Sequence, residues 1–158
     1  MFKRIAVALD GSICAAQALD VAIDLARQNG ALLGICSVVE PLATGATLPS
    51  PSSAAIERGM RAAAHEIVEQ ALHRAQAFGI SAVGETRYGS PVREITKYAE
   101  TFNASAILIG THGRRGFSRL LAGSVAEGVL EKSLVPVIMV REKREPHYRT
   151  HQHIGVSA

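Results

Sequence analysis

The sequence predicts a doubly wound α/β domain, in which helices cover both faces of a parallel β-sheet. The 158-residue chain contains five short apolar runs, and a helical pattern separates each run from the next. These runs are continuous and not alternating, as expected for parallel strands that are buried on both sides. No internal repeat or change of composition divides the chain. We therefore predict one domain over residues 1–141, followed by a polar tail over residues 142–158 that we expect to be disordered.

The first half of the chain predicts two strands and two helices. Residues 4–10 are an apolar run that ends in a turn at Asp10-Gly11-Ser12, and residues 31–39 are the second such run. Between them, a helix that stops at Asn29-Gly30 has its apolar face at Ile13, Ala16, Leu19, Ile23 and Ala26. Residues 40–53 predict a loop rich in proline and serine. The next helix ends at Gly79, and its predicted apolar face is Ile56, Met60, Ala63, Ile67, Ala71, Ala75 and Phe78.

The second half continues the alternation. Residues 81–87 predict a weaker third strand, and Ser90-Pro91 then begins a helix, with serine as the cap and proline at the first helical position. Four residues of this helix are predicted to face inward: Ile95, Tyr98, Ala99 and Phe102. We predict the fourth strand at residues 105–110 and the fifth strand at residues 136–140. Between them, a helix is predicted at residues 124–132. Strands that alternate with helices in this way are expected to lie parallel.

Composition excludes several classes of protein. The net charge of +3 is a mild basic bias, and the chain has no tryptophan and no stripe of aromatic and basic residues, so we expect no nucleic-acid partner. No apolar run approaches the length that crosses a membrane, and the N-terminal run is too short for a signal peptide, which favours the cytoplasm and no membrane partner. Cys14 and Cys36 lie in apolar segments and are expected to be buried, with a redox role as the alternative.

A glycine-rich segment follows the fourth strand. Gly110, Gly113, Gly116 and Gly123 allow the backbone to approach a ligand closely, and Ser124 begins the next helix. Backbone amides in such a loop, together with a helix N-terminus, form a site for an anion. Three arginines in the segment could add contacts to phosphate oxygens: Arg114, Arg115 and Arg119. In open α/β sheets the ligand lies beyond the carboxyl ends of the strands, and Asp10 and Gly110 end the two strands expected to meet there.

The same residues permit a purely structural interpretation. Ser124 and Glu127 have the spacing of a capping box, and Asp10 before Gly11-Ser12 could simply cap the helix that follows. The spacing is neither that of a P-loop nor that of the dinucleotide fingerprint. A phosphoacceptor role for Asp10 would need further acidic residues at strand ends, and the third strand ends at Arg87-Tyr88-Gly89 instead.

The pattern Gly110-x2-Gly113-x9-Gly123-Ser124 resembles the signature of the ATP-binding members of the universal stress protein family. The segment from Val7 to Ser12 resembles the first strand and turn of that family, and Pro136-Val137 resembles its last strand. The resemblance covers about residues 2–141. Two positions depart from the usual pattern: Ala8 stands where many members have proline, and Ser105 stands where many have aspartate. Ser105 lies outside the expected pocket, so it has little effect on the prediction of nucleotide binding.

The resemblance implies a five-stranded parallel sheet of order 3-2-1-4-5 that binds ATP. Asp10 would bond the ribose, and Val38 would meet the adenine through its backbone. The ribose and phosphates would be held by Gly110, Gly113, Gly123, Ser124 and Val125. A divalent cation such as Mg²⁺ or Mn²⁺ would accompany the phosphates. The family commonly forms homodimers through the last strand, here Val137 to Val140.

The histidines give little support for a catalytic site or a metal site. His112 and Arg114 lie inside the glycine-rich segment and are assigned to the nucleotide site, although His112 has no evident partner that would make it a catalytic base. His65 and His73 are eight residues apart on one helix, roughly 12 Å along its axis, so they cannot share a metal ion. A metal site in the tail at His147, His151 and His153 is a weaker alternative.

The sequence thus predicts a cytoplasmic, dimeric, ATP-binding module of the stress response, whose protein partner it does not identify. No arrangement of residues identifies a group that would activate water, so we do not predict an enzyme. Two alternatives stay open at this point. One is a weak ATP-hydrolysing or phosphate-transferring enzyme, and the other is a dimeric scaffold that binds no nucleotide.

Overall fold

Five parallel strands form one sheet in the spatial order β3-β2-β1-β4-β5 in the computed structural model, which describes residues 2–42, 51–111 and 123–141. The strands are β1 (Arg4–Ala8), β2 (Leu32–Val39), β3 (Ala82–Tyr88), β4 (Ala106–Gly110) and β5 (Val137–Val140). The helices are α1 (Ile13–Asn29), α2 (Pro51–Ala77), α3 (Pro91–Thr101) and α4 (Ser124–Lys132). The predicted fold class and strand order are confirmed. The predicted tail over residues 142–158 lies outside the described residues.

Two apolar clusters lie on opposite faces of the sheet. Helices α1 and α2 cover one face, where Ile5, Val7, Leu33, Ile35 and Leu108 are fully or almost fully buried. Helices α3 and α4 cover the other face, which we call the α3/α4 face, where the core includes Ala6, Cys36, Tyr98, Ile107 and Val129. Side chains that alternate along β1, β2 and β4 enter one cluster and then the other. The continuous apolar runs follow from this burial on both sides.

The edge strand β3 departs from that pattern. Its middle residues Val83, Gly84 and Glu85 are exposed, because α2 covers one of its faces whereas α3 crosses β2 and β1 on the other. This partial cover explains why the third apolar run in the sequence is the weakest. Charged side chains on such an edge also discourage pairing with another chain.

The predicted apolar faces of α1 and α2 were partly wrong. Ile13 in α1 is 65% exposed, and Ile56 and Phe78 in α2 are 54% and 56% exposed. Ala16 and Ala63 are exposed as well. The buried stripe of α2 is Ala64, Val68, Ala71 and Ala75. Because alanine repeats throughout α2, two adjacent stripes have similar hydropathy, and only packing against β2 and β3 decides between them. This helix also begins at Pro51, inside the predicted loop, with proline at its first position.

Helix ends match the predicted signals only in part. Gly30 ends α1 in the left-handed conformation with a φ of 61°, as Asn29-Gly30 predicted. Ser90 occupies the N-cap position of α3, but its side chain makes no cap hydrogen bond. At α4 the N-cap is Gly123, and Ser124 is the first helical residue. The capping box proposed for Ser124 and Glu127 is therefore not formed, since it requires serine at the N-cap.

None of the helices in the described part of the chain is long and apolar enough to cross a membrane. His65 and His73 are both exposed on α2. Within the described ranges, no three His, Cys, Asp or Glu side chains are grouped so that they could hold a metal ion.

Candidate functional site

The strand order reverses between β1 and β4. From β1 the chain proceeds to β2 on one side, and from β4 it proceeds to β5 on the other. The register pairs Ala8 with Ile109, so both strands end at the same edge of the sheet. A crevice opens at such a switch point because the loops that follow the two strands leave in opposite directions. Asp10, two residues after β1, and Thr111, directly after β4, lie at its two sides.

Asp10 begins a tight turn into α1. Its Oδ1 accepts a hydrogen bond of 2.9 Å from the Ser12 N–H, and Gly11 between them has a φ of 81°. Ser12 is the N-cap of α1, and its hydroxyl accepts from the Ala15 N–H at 3.2 Å. The capping role that the sequence left open for Asp10 thus belongs to Ser12. Asp10 instead shapes the turn, which holds its carboxylate at the carboxyl end of β1.

The N-terminus of α4 lies on the opposite side of this crevice. The Gly123 N–H donates to the Thr111 carbonyl at 2.6 Å, which joins the start of α4 to the end of β4. The first hydrogen bond within the helix runs from the Glu127 N–H to the Gly123 carbonyl at 3.0 Å. The amides of Ser124 and Val125 precede that bond, so they have no acceptor inside the helix. A glycine N-cap brings no side chain to cap them, and the helix dipole adds positive potential.

Gly110 has a packing role that the sequence did not predict. A Cβ at this position would lie 2.8 Å from the Ala15 nitrogen and 2.8 Å from the Cys14 carbonyl carbon. Glycine here allows the first turn of α1 to pack directly on the end of β4. This close packing fixes the crevice, and the predicted contact of Gly110 with a ligand stays a prediction.

Val38 lies near the end of β2 with its backbone directed toward β1. The Cys36 carbonyl accepts from the Leu9 N–H, and the Val39 carbonyl accepts from the Gly89 N–H of the chain that follows β3. Because carbonyls alternate along a strand, the Val38 carbonyl faces the same side as that of Cys36. At that level β1 has already ended at Ala8. The carbonyl therefore points into the space beyond the end of β1.

An ion pair that the sequence did not predict lies beside Val38. Arg87 is the register partner of Val38 on β3, and its Nε donates to Glu94 Oε2 at 3.0 Å. The two side chains are only 12% and 16% exposed. The sequence did contain a signal, because Arg87 is a lone basic residue near the carboxyl end of a strand. No local pattern connects it to Glu94, which lies seven residues further along on α3.

The six predicted site residues in the described ranges all lie at the carboxyl edge of the sheet: Asp10, Val38, Gly110, Gly123, Ser124 and Val125. The other three lie outside the described residues: His112, Gly113 and Arg114. Arg115 and Arg119 also lie outside them. The described part of the site thus consists of the ends of three strands, β1, β2 and β4, with the Asp10 carboxylate after the first of them, and the N-terminus of α4.

Both cysteines are buried thiols. Burial raises the pKa of Cys36 to about 12, and Glu85 contributes in the same direction while Arg87 opposes it. The thiolate is the reactive form of cysteine, so such a thiol is inert at neutral pH. In a Cys14→Ala variant at pH 8, we expect Cys36 to react with a thiol reagent about 100-fold more slowly in the native protein than in urea.

The raised pKa of Cys36 also predicts how the stability of the folded protein changes at alkaline pH. Because the folded pKa lies above the unfolded one, Cys36 contributes its full stabilisation below about pH 9 and loses it progressively toward pH 12. A Cys36→Ala variant should therefore show a shallower alkaline decline in urea midpoint than the parent. Rapid labelling of native Cys36 at pH 8 would contradict this account and would restore the redox alternative.

These features define a class of protein: a doubly wound α/β domain with a carboxylate after β1 and a helix N-terminus joined to the end of β4 at the switch point. The model of the universal stress protein family matches residues 1–141. The chain belongs to that family.

Individual relatives agree with this assignment. The universal stress protein YxiE of Bacillus subtilis is 34% identical over 150 residues, which cover 89% of this chain and all of the relative. The solved structure of MJ0577 from Methanocaldococcus jannaschii superposes with a TM-score of 0.82 over 92% of this chain and 99% of that one, at 24% identity. A universal stress protein from Archaeoglobus fulgidus, solved in complex with dAMP, superposes with a TM-score of 0.63 at 26% identity. The match covers 87% of this chain and 97% of that one.

Proposed function

We propose that this protein binds an adenine nucleotide, ATP with Mg²⁺ or Mn²⁺, in the crevice between the ends of β1 and β4. The observation on which the proposal rests is the N-terminus of α4, which has a glycine at its N-cap and is joined to Thr111 at the end of β4, next to the strand that leads into the Asp10 turn. A helix start of this kind attracts phosphate through its amides and its dipole. The nucleotide complex of the Archaeoglobus fulgidus relative supports the choice of ligand.

The phosphates would occupy the start of α4. The amides of Ser124 and Val125 would donate to phosphate oxygens, and the exposed Ser124 side chain would add a hydroxyl. Gly123 leaves room for this approach because it has no side chain. Gly113, His112 and Arg114 complete the proposed phosphate site from the segment that joins β4 to α4. A divalent cation would bind through the phosphates, whose oxygens are the hard ligands that it prefers.

The ribose and adenine would extend from there across the ends of β1 and β2. The Asp10 carboxylate can accept hydrogen bonds from ribose hydroxyls, and Gly110 forms the floor of the crevice beside it. The Val38 carbonyl, directed past the end of β1, can accept from the 6-amino group of adenine. These three parts follow the sheet edge from β4 to β2, an order that matches the order of phosphate, ribose and base in a nucleotide.

Substitution of Gly123 tests the phosphate end. The φ of this residue is −65°, which every L residue can adopt, so Gly123→Val should fold normally while its side chain obstructs the amides. We expect the variant to bind ATP at least about 10-fold more weakly, roughly 1.4 kcal/mol, and to lose the rise in melting temperature that ATP produces in the wild type. Thermal unfolding with increasing ATP measures both.

Two further variants make this test specific. Gly59→Ala, at a helical position with open space around it, should retain the full ATP effect. Asp10→Asn keeps an oxygen that can accept from the Ser12 N–H, so weaker ATP binding by this variant would reflect loss of the carboxylate and not of the turn. Equal ATP stabilisation of wild type and Gly123→Val would contradict the proposed site.

We also propose that the protein forms a homodimer, in which β5 pairs with β5 of a second copy. Strand β5 is an edge of the sheet, and Met139 on it and the nearby Leu134 are 36% and 86% exposed. Pro136 and Val140 direct their carbonyls toward β4, accepting from Ile107 and Thr111. By alternation, the backbone of Val137 and Met139 faces the open edge. These groups are available to pair with another strand.

Met139→Pro is the sharpest test of this pairing. Proline removes the outward-facing N–H of residue 139 and leaves the hydrogen bonds between β5 and β4 in place. We expect the variant to sediment as a monomer under conditions where the wild type and Met139→Ala sediment as dimers. A dimeric Met139→Pro protein, or a monomeric wild type, would contradict dimerisation through β5.

In the cell, the proposed role is that of a cytoplasmic binding module in the stress response. Nucleotide occupancy would change which protein partner the dimer engages. Limited proteolysis with and without ATP tests whether the nucleotide changes the accessibility of the chain. Identical cleavage patterns would oppose the regulatory part of the proposal and leave nucleotide binding itself unaffected.

A further inference from the structure

We infer that Glu94 determines the base specificity of the proposed site: by engaging Arg87, it keeps a guanidinium away from the base and favours adenine over a 6-oxopurine. The inference rests on the proposed nucleotide site and extends it, because it names the purine substituent that the site distinguishes. Neither residue belongs to the glycine-rich signature or to the Asp10 turn.

Arg87 lies next to the proposed position of the base. It is the register partner of Val38, and neighbouring strands are about 4.8 Å apart. Register partners direct their side chains to the same face of a sheet. For Arg87 this is the α3/α4 face, since its guanidinium contacts Glu94 and lies 5.7 Å from the centre of the Tyr98 ring, both on α3. An arginine side chain is long enough to reach past Val38 toward a base.

The charge of Arg87 is almost fully engaged. Its Nε donates to Glu94 Oε2 at 3.0 Å, and its Nη1 lies 3.5 Å from Glu85 Oε1. Glu94 is the stronger partner, because its side chain is 16% exposed whereas that of Glu85 is 52% exposed. Removing the Glu94 charge would leave a mostly buried guanidinium with one distant, solvated partner. Such a cation seeks another acceptor.

Glu94 is itself fixed against the end of β2. A Cβ at Gly89 would lie only 3.1 Å from Glu94 Cγ, so the missing side chain at Gly89 makes room for the glutamate. The φ of Gly89 is 149°, and its N–H donates to the Val39 carbonyl at 3.0 Å. The ion pair is thereby tied to the segment of β2 that presents the Val38 carbonyl.

Hydrogen-bonding chemistry links this arrangement to base choice. Adenine presents a donor at position 6, and hypoxanthine and guanine present an acceptor there. The Val38 carbonyl is an acceptor and suits only the amino group, whereas guanidinium is a pure donor and would suit the 6-oxo group. The native site offers the acceptor and keeps the donor engaged with Glu94. Releasing Arg87 would add the donor that a 6-oxopurine requires.

The experiment compares the dissociation constants of ATP and inosine triphosphate, which differ only at position 6 and its adjacent nitrogen. In wild-type protein ATP should bind more tightly. In Glu94→Gln we expect the ratio of the two constants to shift at least about 10-fold toward inosine triphosphate. Glu100→Gln, at an exposed position of the same helix, should leave the ratio unchanged.

A double variant separates specificity from structural support. Arg87→Met with Glu94→Gln removes the cation as well as its partner, so the ratio should return toward the wild-type value. A role confined to supporting the fold would not be reversed by this second change. If Glu94→Gln proves unfolded by circular dichroism, Glu94→Asp provides the test, since its shorter side chain weakens contact with Arg87 and should shift the ratio in the same direction.

The outcomes are distinguishable. A wild type that binds neither nucleotide overturns the proposed function and this inference with it. A wild type that binds ATP, with the same ratio in the folded Glu94 variants, overturns the inference alone. A shifted ratio that the double variant fails to reverse also overturns it, because the shift would then not depend on the Arg87 cation.

Discussion

Replacing Leu108 by alanine is expected to lower the free energy of unfolding by about 3 to 5 kcal/mol, the largest effect of any single truncation that we propose. Leu108 is completely buried in the middle of β4, between Val7 on β1 and Ile138 on β5 in the strand register. Rigid neighbouring strands cannot collapse into the space left behind. The loss therefore combines the transfer energy of the side chain with the cost of a cavity.

Urea unfolding, followed by circular dichroism, measures this loss. A domain of this size has a total stability of about 5 to 15 kcal/mol, so Leu108→Ala removes a large share of it. The control is Ile13→Ala, which truncates an aliphatic side chain that is 65% exposed and should change stability by no more than about 0.5 kcal/mol. Similar losses in the two variants would mean that β4 is not the centre of the core.

Gly110→Ala is expected to destabilise the protein by about 3 kcal/mol and to abolish nucleotide binding at the same time. The added methyl group would lie 2.8 Å from the Ala15 nitrogen and from two carbon atoms of Cys14. Two of these three atoms are backbone, so no change of side-chain conformation can relieve the contact. The first turn of α1 must move away from β4, and the Asp10 turn that begins it must move as well.

The matched control is Gly59→Ala, in which the same methyl group is added to α2 where nothing lies within 4 Å. Alanine has a higher helix propensity than glycine, so this variant should be more stable by about 0.5 to 1 kcal/mol. Opposite signs for two identical chemical changes would establish that close packing, and not chain entropy, requires glycine at position 110. A stable Gly110→Ala protein that binds ATP normally would refute this explanation.

Local signals in the sequence predicted most of the fold. Strands β1, β2 and β4 were evident because burial on both faces produces continuous apolar runs, and Gly30 and Pro91 marked a helix end and a helix start. The face of α2 was not predictable with the same accuracy. Its frequent alanines give two adjacent stripes of similar hydropathy, and contact with Val68 and its neighbours decides which stripe is buried.

In the candidate site too, some features could be predicted from the sequence and others could not. Asp10, Gly110 and Ser124 were predicted because strand ends and glycine-rich turns have recognisable patterns and the family resemblance indicated their roles. Their contact with a nucleotide stays a prediction. The packing role of Gly110 was not predicted, since packing of α1 against β4 joins residues about a hundred positions apart. The pair of Arg87 with Glu94 was missed because it depends on which strand lies beside β2.

Nucleotide binding itself is tested by a calorimetric titration of the full chain with ATP in the presence of Mg²⁺. We expect binding in the micromolar range with one nucleotide per chain, and loss of the heat signal in the folded Gly123→Val variant. Absence of heat in the wild type, together with no competition against a labelled adenine nucleotide, would contradict it. The N-terminus of α4 would then be a structural junction between β4 and the helix, and the protein a dimeric scaffold without a nucleotide.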